Sequence, residues 1–355
     1  MTDLTEQFRQ QILAASSAAP LRIRGGGSKD FYGNEPHGEP LETRAHAGVL
    51  AYEPTELVIT ARSGTPLAAI EAVLAEQGQC LAFEPPRFGE NGTIGGVVAA
   101  GLSGPRRVSA GAVRDFVLGV KILDGAAREL NFGGQVMKNV AGYDVSRVMA
   151  GSLGTLGLLL EISLKVLPRP VAEATLRFEM GEAAALDKLN RWAGQPLPIV
   201  ASAWAAGVLT LRLAGARAAI AAAEQTLGGA KVGAGGTAFW TELRDQRAPF
   251  FADEQPLWRL SLPSVAPVLN LPGASLIEWG GALRWLNSTA PAEEIRAAAA
   301  RVGGSATLFR ADPALKGAVG AFTALPLPVL NLQRRLKQTF DPHGIFNPGR
   351  MYAEL

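Results

Sequence analysis

The chain has 355 residues, is 48% hydrophobic and 19% charged, and carries a net charge of +2. That length accommodates two domains, the composition supports a sizeable buried core, and the near-neutral balance gives no electrostatic reason to expect nucleic acid. Cys80 is the only cysteine and His37, His46 and His343 are the only histidines, which excludes an intrachain disulfide, a cysteine-ligated iron–sulfur cluster and a paired-histidine zinc site.

The opening MTDLTEQFRQQILAA is polar and then amphipathic, without the basic and apolar regions of a secretory signal. Leu4, Phe8, Ile12 and Ala15 share one face and predict a helix over 3–16. RGGGSK at 24–29 breaks regular structure, and ELVITA at 56–61 reads as a strand. Thr65-Pro66 marks a helix start, with Thr65 as N-cap, Pro66 at the first helical position and Gly78 as the cap at the far end. Asp124-Gly125, between two apolar-rich runs over 117–132, predicts a hairpin. Residues 158–167 alternate with period two, a strand ended by Pro168 and Pro170, and a domain boundary is placed there.

Beyond 171, alanine-rich helices (182–192, 215–227, 291–302) alternate with short apolar strands (172–178, 206–213, 256–262, 282–287, 305–310), the pattern of an α+β layer. The tail, 329–350, opens as a helix with Leu332, Leu336 and Phe340 on one face and stops at Asp341-Pro342. The uncharged stretches 194–211 and 260–277 are broken by prolines and glycines, so they predict buried strands or an association face rather than membrane spans. No internal repeat stands out. A cytoplasmic location is expected, with any membrane attachment peripheral and made through partners.

Three glycine-rich segments in the first half, RGGGSK, GTIGGVVAAGLSG (92–104) and GYDVSRVMAGSLGTLG (142–157), suggest a large anionic cofactor held by loops. RGGGSK lacks the spacing of a Walker A loop; it either presents backbone N–H groups, with Arg24 and Lys29 adding charge, or is a plain surface loop. Thr93-Ile94-Gly95-Gly96 reads as a first helical turn, whose free N–H groups favour a pyrophosphate or whose glycines serve close helix–strand packing. The pattern is not G-x-G-x-x-G, which rules out a Rossmann dinucleotide site. Arg114-Asp115 is read first as a structural ion pair. Lys138, Asn139, Tyr143 and Asp144, beside Gly142, line a pocket or satisfy their own loop. Trp240, Trp258, Trp279 and Trp285 are expected in a core or interface, and His343 in a turn. No arrangement of Ser, His, Asp or Cys points to a nucleophile or general base, so the catalytic residues are unassigned.

RGGGSK, PPRFGENGTIGG (85–96), GAVRDFVLG (111–119) and the run from Lys138 to Pro168 resemble the FAD-binding domains of the vanillyl-alcohol-oxidase (PCMH) type. MKNVAGYDVSRVMAGS, WTELRDQRAPFF (240–251), LWRLSLPS (257–264), GGSATLFR (303–310) and LKQTFDPHGIFNPGRMY (336–352) are similar to the small FAD-binding subunits of bacterial glycolate oxidases. The resemblance implies an α+β fold: a two-subdomain FAD-binding domain over 1–170, a smaller α+β cap over 171–325, and a C-terminal segment, 326–355, returning to the FAD domain.

It implies that Arg24, Gly25, Gly26, Gly27, Ser28 and Lys29, with Gly92, Thr93, Ile94, Gly95 and Gly96, cradle the pyrophosphate, and that Pro86 also contacts the cofactor. Ser103, Gly104, Arg114 and Asp115 would lie along the cofactor, Gly142 and Tyr143 would border it, and the strand at Glu161 and Ile162 would offer backbone to the adenine. Covalent members carry a histidine where Ser28 stands, so the FAD is expected to be non-covalent. Catalytic 2-hydroxy-acid dehydrogenases of this type carry a histidine-rich metal motif in the cap, and 171–325 contains no histidine. The implied role is an accessory or electron-transferring subunit of a glycolate-oxidising complex, beside a larger homologous FAD subunit and an iron–sulfur subunit. A scaffold with weak or no FAD and a stand-alone FAD oxidase stay open.

Overall fold

The computed structural model describes residues 4–134 and 144–355. The chain packs as two compact units, the first built from residues up to 102, 112–168 and 324–355, the second from 103–111 and 169–323.

In the first unit, α1 (Thr5–Ala14) buries Phe8 and Ile12, as the 3.6-residue spacing predicted. They pack against Leu21, Leu41, Leu158 and Leu160 and, from the far end of the chain, Ile345 and Phe346. β1 (Leu21–Arg24) and β2 (Glu39–Glu42) form a short parallel pair. β3 (Val49–Glu53) and β4 (Val58–Arg62) open an antiparallel sheet, followed by α2 (Leu67–Glu76), β5 (Gln79–Cys80) and α3 (Ile94–Ala100). Pro66, not Thr65, holds the N-cap of α2. The Thr65 hydroxyl accepts from the Gly48 N–H (2.9 Å) and donates to the Arg62 carbonyl (2.6 Å), so it closes the end of β4 instead. Gly78, at φ 63°, follows the C-cap Gln77.

A short helix, α4 (Arg107–Ala110), belongs to the second unit; α5 (Val113–Phe116) returns the chain to the first. β6 (Val117–Leu123) and β7 (Glu129–Gly133) form the expected hairpin. Asp124 is buried in its turn and accepts from the N–H groups of Ala126 (3.0 Å) and Arg128 (2.8 Å). After α6 (Val145–Val148), the central strand β8 (Leu158–Lys165) completes the sheet in the order β3-β4-β8-β6-β7, and β9 (Leu167–Pro168) pairs with β5.

The second unit contains a duplication that the sequence did not reveal. β10 (Ala172–Glu179), α7 (Glu182–Ala193), β11 (Ile199–Ala205), β12 (Val208–Gly215), α8 (Arg217–Leu227) and β13 (Ala230–Val232) form a β-α-β-β-α-β unit with strand order β13-β10-β12-β11. After α9 (Gly235–Arg244), the strands β14 (Leu257–Ser261), β15 (Ala274–Glu278) and β16 (Leu283–Asn287), then α10 (Ala292–Arg301) and β17 (Ser305–Arg310), repeat that order as β17-β14-β16-β15. The uncharged loop 262–273 stands where the first half has α7. The halves join edge to edge through β11 and β15, giving one eight-stranded antiparallel sheet. Of the uncharged stretches, 194–211 supplies β11 and part of β12, and 260–277 supplies this loop and most of β15, consistent with buried strands rather than spans.

Helices α7, α8 and α10 cover the sheet through Leu186 and Leu189, Ile220 and Ala223, and Ile295 and Ala299. Trp240, Trp258, Trp279 and Trp285 are all buried. The Trp240 indole donates to the Thr175 hydroxyl (3.0 Å) and the Trp285 indole to the Glu278 carboxylate (2.8 Å). After α11 (Pro313–Val319), the chain re-enters the first unit as α12 (Leu327–Phe340), ending at Asp341. No helix among the described residues is long and apolar enough to cross a membrane.

Candidate functional site

At the end of β1 an open pocket of about 90 Å³ is lined by residues 22–30, Pro36, Thr93, Gly96, Ala100, Leu153, Asn347 and Arg350. The chain leaves β1 through Gly25, Gly26 and Gly27, the last at φ 72° in the left-handed region that glycine tolerates. A Cβ on Gly26 would overlap the Asn91 carbonyl, so this loop lies directly on the 91–93 turn. The N–H groups of Gly25, Gly26, Gly27, Ser28 and Lys29 donate to no acceptor among the described residues. Protein bonding resumes with Asp30 N–H to the Gly27 carbonyl (3.1 Å) and Tyr32 N–H to the Lys29 carbonyl (3.0 Å). A row of unpaired backbone donors in a concave loop is an anion-binding arrangement.

The second glycine segment behaves differently. Thr93 caps α3, its hydroxyl accepting the Gly96 N–H at 3.2 Å. The Ile94 N–H bonds the Thr65 carbonyl (2.9 Å) and the Gly95 N–H bonds the Ser63 carbonyl (2.8 Å). The expectation that these N–H groups are free for a pyrophosphate is therefore corrected: protein acceptors take them. A Cβ on Gly95 would stand 2.8 Å from Ser63 Cβ, so close helix–strand packing accounts for that glycine. Gly92 and Thr93 still border the loop, and Pro86 is buried in the same turn region.

Charge around the pocket is largely paired. Asp30 takes Arg22 (3.2 Å) and Arg24 (3.0 Å), and Arg24 also reaches Glu42 (3.3 Å); Asp30 foremost, then Glu42, raises the pKa of Arg24. Lys29 differs: its ammonium has no carboxylate partner among the described residues, only the Ser28 hydroxyl at 3.4 Å and the Phe88 ring at 5.9 Å. Burial lowers its pKa to about 8.

The tail supplies residues that sequence reasoning missed. The Asn347 side chain accepts from the Ile23 N–H (2.8 Å) and donates to the Leu153 carbonyl (2.6 Å), joining three distant segments. The Arg350 guanidinium donates to the carbonyls of Asn34, Asp30 (2.8 Å) and Lys29 (3.3 Å), and burial lowers its pKa to about 10. Lys337 anchors the tail through the Thr155 (2.8 Å) and Phe346 (2.7 Å) carbonyls and Asp341 (2.8 Å). The polar residues of FNPGR, within an otherwise apolar core segment, were the available signal.

Other expected residues fall elsewhere. Ser103 and Gly104 group with the second unit and do not line the pocket: the Trp279 indole donates to the Gly104 carbonyl (3.0 Å), Arg107 lies 4.5 Å over the Trp279 ring, and the Ser109 hydroxyl donates to Val200 (2.9 Å). Arg114 and Asp115 form no ion pair among the described residues; Asp115 accepts the Ala112 N–H (2.8 Å) at the start of α5. Glu161 and Ile162 sit in β8, paired with Arg62 and Ala61 of β4 and with Lys121 and Val120 of β6. The β6–β8 ladder shifts register between Glu161 and Leu159, and the Glu161 carboxylate binds Lys121 (3.1 Å). Lys138, Asn139, Gly142 and Tyr143 lie outside the described residues; Asp144 pairs with Arg147 (2.7 Å). His343 falls in the turn that follows α12.

The unpaired N–H row, the unpaired Lys29 cation and a floor with no room for a Cβ fit the phosphate-bearing part of FAD. Residues 6–133 match the FAD binding domain family. The chain is 51% identical to the glycolate oxidase subunit GlcE of Escherichia coli (strain K12), over 99% of this chain and 97% of that protein. It is 29% identical to the glycolate oxidase subunit GlcD of Bacillus subtilis (strain 168), over 48% of this chain and 37% of that one. A solved alkyldihydroxyacetonephosphate synthase shares the fold, with a TM-score of 0.65 at 17% identity over 97% of this chain and 74% of the other.

Proposed function

Starting from membership in the glycolate oxidase GlcE family of FAD-linked oxidoreductases, to which the chain belongs, we propose that it is the FAD-binding, accessory or electron-transferring subunit of a complex that oxidises glycolate to glyoxylate. The observation that carries this reading is the loop from Gly25 to Lys29, five successive backbone donors that find no acceptor among the described residues and line the pocket.

When bound, FAD supplies hydride acceptance and one-electron release. The chain's own residues hold it. Gly25, Gly26, Gly27 and Ser28 would offer N–H groups to the phosphates, Lys29 would add charge, and Asn347 and Arg350 would fix the loop that carries both. Ser28 offers no imidazole for a covalent link, in keeping with non-covalent FAD. The site residues Gly92 and Thr93 would border the cofactor from the turn beneath the loop.

Substrate oxidation is assigned to a larger homologous flavin subunit of the complex. The second unit here has no histidine, and the indole N–H groups of Trp240 and Trp285 and the Arg284 guanidinium are bound into its own frame. Iron–sulfur centres belong to another subunit, since Cys80 alone cannot ligate them. The complex is assigned to the cytoplasm, with any membrane attachment peripheral and made through partners.

The test is the visible spectrum of the purified chain, before and after glycolate and then with the partner subunits. Flavin bands that bleach only once the partners are present are expected. Bands that bleach with glycolate alone would move substrate oxidation into this chain, and absence of flavin after incubation with FAD would leave a scaffold.

A further inference from the structure

We infer that the Lys29 ammonium is the counter-charge for a phosphate of bound FAD, and that the chain takes up a proton at Lys29 as the cofactor binds. The inference rests on the FAD-subunit reading above and adds to it a titratable group and a direction.

The argument begins with what surrounds Lys29. On its own loop, Asp30 is committed to Arg22 and Arg24. From β2, Glu42 is committed to Arg24. On the facing turn, Arg87 pairs with Glu71, and Phe88 presents its ring to the ammonium at 5.9 Å; Glu84 and Glu90 lie on the same turn and make no ion pair with Lys29. From the tail, Arg350 donates to backbone carbonyls, including that of Lys29 itself. Lys29 is thus a pocket-lining cation served by neither a carboxylate nor a carbonyl, against a hydroxyl and an aromatic face. A cation in that setting is retained by an anion that arrives from outside.

Burial alone lowers its pKa to about 8 in the free protein. A phosphate drawn into the same loop favours the charged form and raises that value again. The sign follows from linkage: below pH 8 the ammonium is already charged and FAD affinity is independent of pH. As pH rises through 8, binding must recruit a proton, so affinity falls by up to about tenfold per pH unit until the raised pKa of the complex is reached.

The experiment is calorimetric titration of the full chain, stripped of flavin, with FAD at pH 7, 8 and 9, in buffers of different ionisation enthalpy. Wild type is expected to take up a fraction of a proton that grows from pH 7 to 9, with weakening affinity. Lys29→Gln should bind about tenfold more weakly at pH 7 and show neither uptake nor pH dependence. Lys29→Arg should bind tightly and without pH dependence, because its charge is fixed, and it keeps the test decisive if the Gln variant folds poorly. ADP, which carries the pyrophosphate, should reproduce the uptake, and riboflavin, which carries no phosphate, should not. Equal uptake in wild type and Lys29→Gln, or uptake with riboflavin and none with ADP, overturns the inference. Tight FAD binding by wild type without uptake overturns it alone, whereas failure of wild type to bind FAD at any pH removes the FAD-subunit reading as well.

Discussion

The two glycine segments of the first unit look alike in sequence and differ in what their backbones are left to do. At Gly25–Lys29 the N–H groups find no acceptor in the described protein; at Ile94–Gly96 every one is taken, by Thr65, Ser63 and the Thr93 hydroxyl. Glycine in the first case keeps donors available over a tightly packed floor. In the second it lets α3 approach the end of β4. Glycine content therefore does not identify a ligand loop; the destination of each N–H does.

The sharpest way to break this comparison is Gly26→Ala. The added methyl collides with the Asn91 carbonyl, so the loop must lift away from its floor. FAD affinity should fall by about 100-fold, equivalent to ~3 kcal/mol, read by flavin fluorescence titration, while circular dichroism shows the unit still folded. Unchanged affinity would mean that the loop is not the cradle. Asn347→Ala comes next. It leaves the Ile23 N–H and the Leu153 carbonyl without their partner, at about 1–3 kcal/mol of stability. Thermal unfolding should shift down, and FAD affinity should weaken about tenfold because the loop loses its tie to the tail. A shift in melting with intact affinity would confine Asn347 to a structural role. The smallest effect belongs to Thr93→Ala: loss of the cap removes about 1 kcal/mol and a few °C of melting temperature, with FAD affinity nearly unchanged. A collapse of affinity there would reinstate α3 as a phosphate site.

Much of the frame was legible. Phe8 and Ile12 at helical spacing, the alternation over 158–167 and the Asp124-Gly125 turn each carry a local signal strong enough to survive folding. Thr65 was misread because its hydroxyl has two backbone partners at the end of β4, a tertiary preference that outweighs capping. The pocket was half legible: RGGGSK announced itself, but Asn347 and Arg350 reach it from more than three hundred positions away, and no local pattern records such a bond. Gly104 was expected along the cofactor from the family resemblance alone, and no local pattern announced that its carbonyl takes the Trp279 indole N–H. The duplication in the second unit escaped notice because its second half replaces α7 with the loop 262–273, and strand order leaves no residue-level repeat.

Asn347, Arg350, Ile345 and Phe346 belong to the same unit as α1 and the glycine loop. During synthesis, the ribosome must add more than three hundred residues after Arg24 before that unit can close, on the order of tens of seconds. The second unit's main span, 169–323, emerges whole before the tail does. Phe8, Ile12 and Leu21 therefore wait for their last partners, Ile345 and Phe346, and the glycine loop gains its ties to Asn347 and Arg350 only once the tail has emerged. A nascent chain arrested before Ile345 should recruit chaperones and release any FAD it meets.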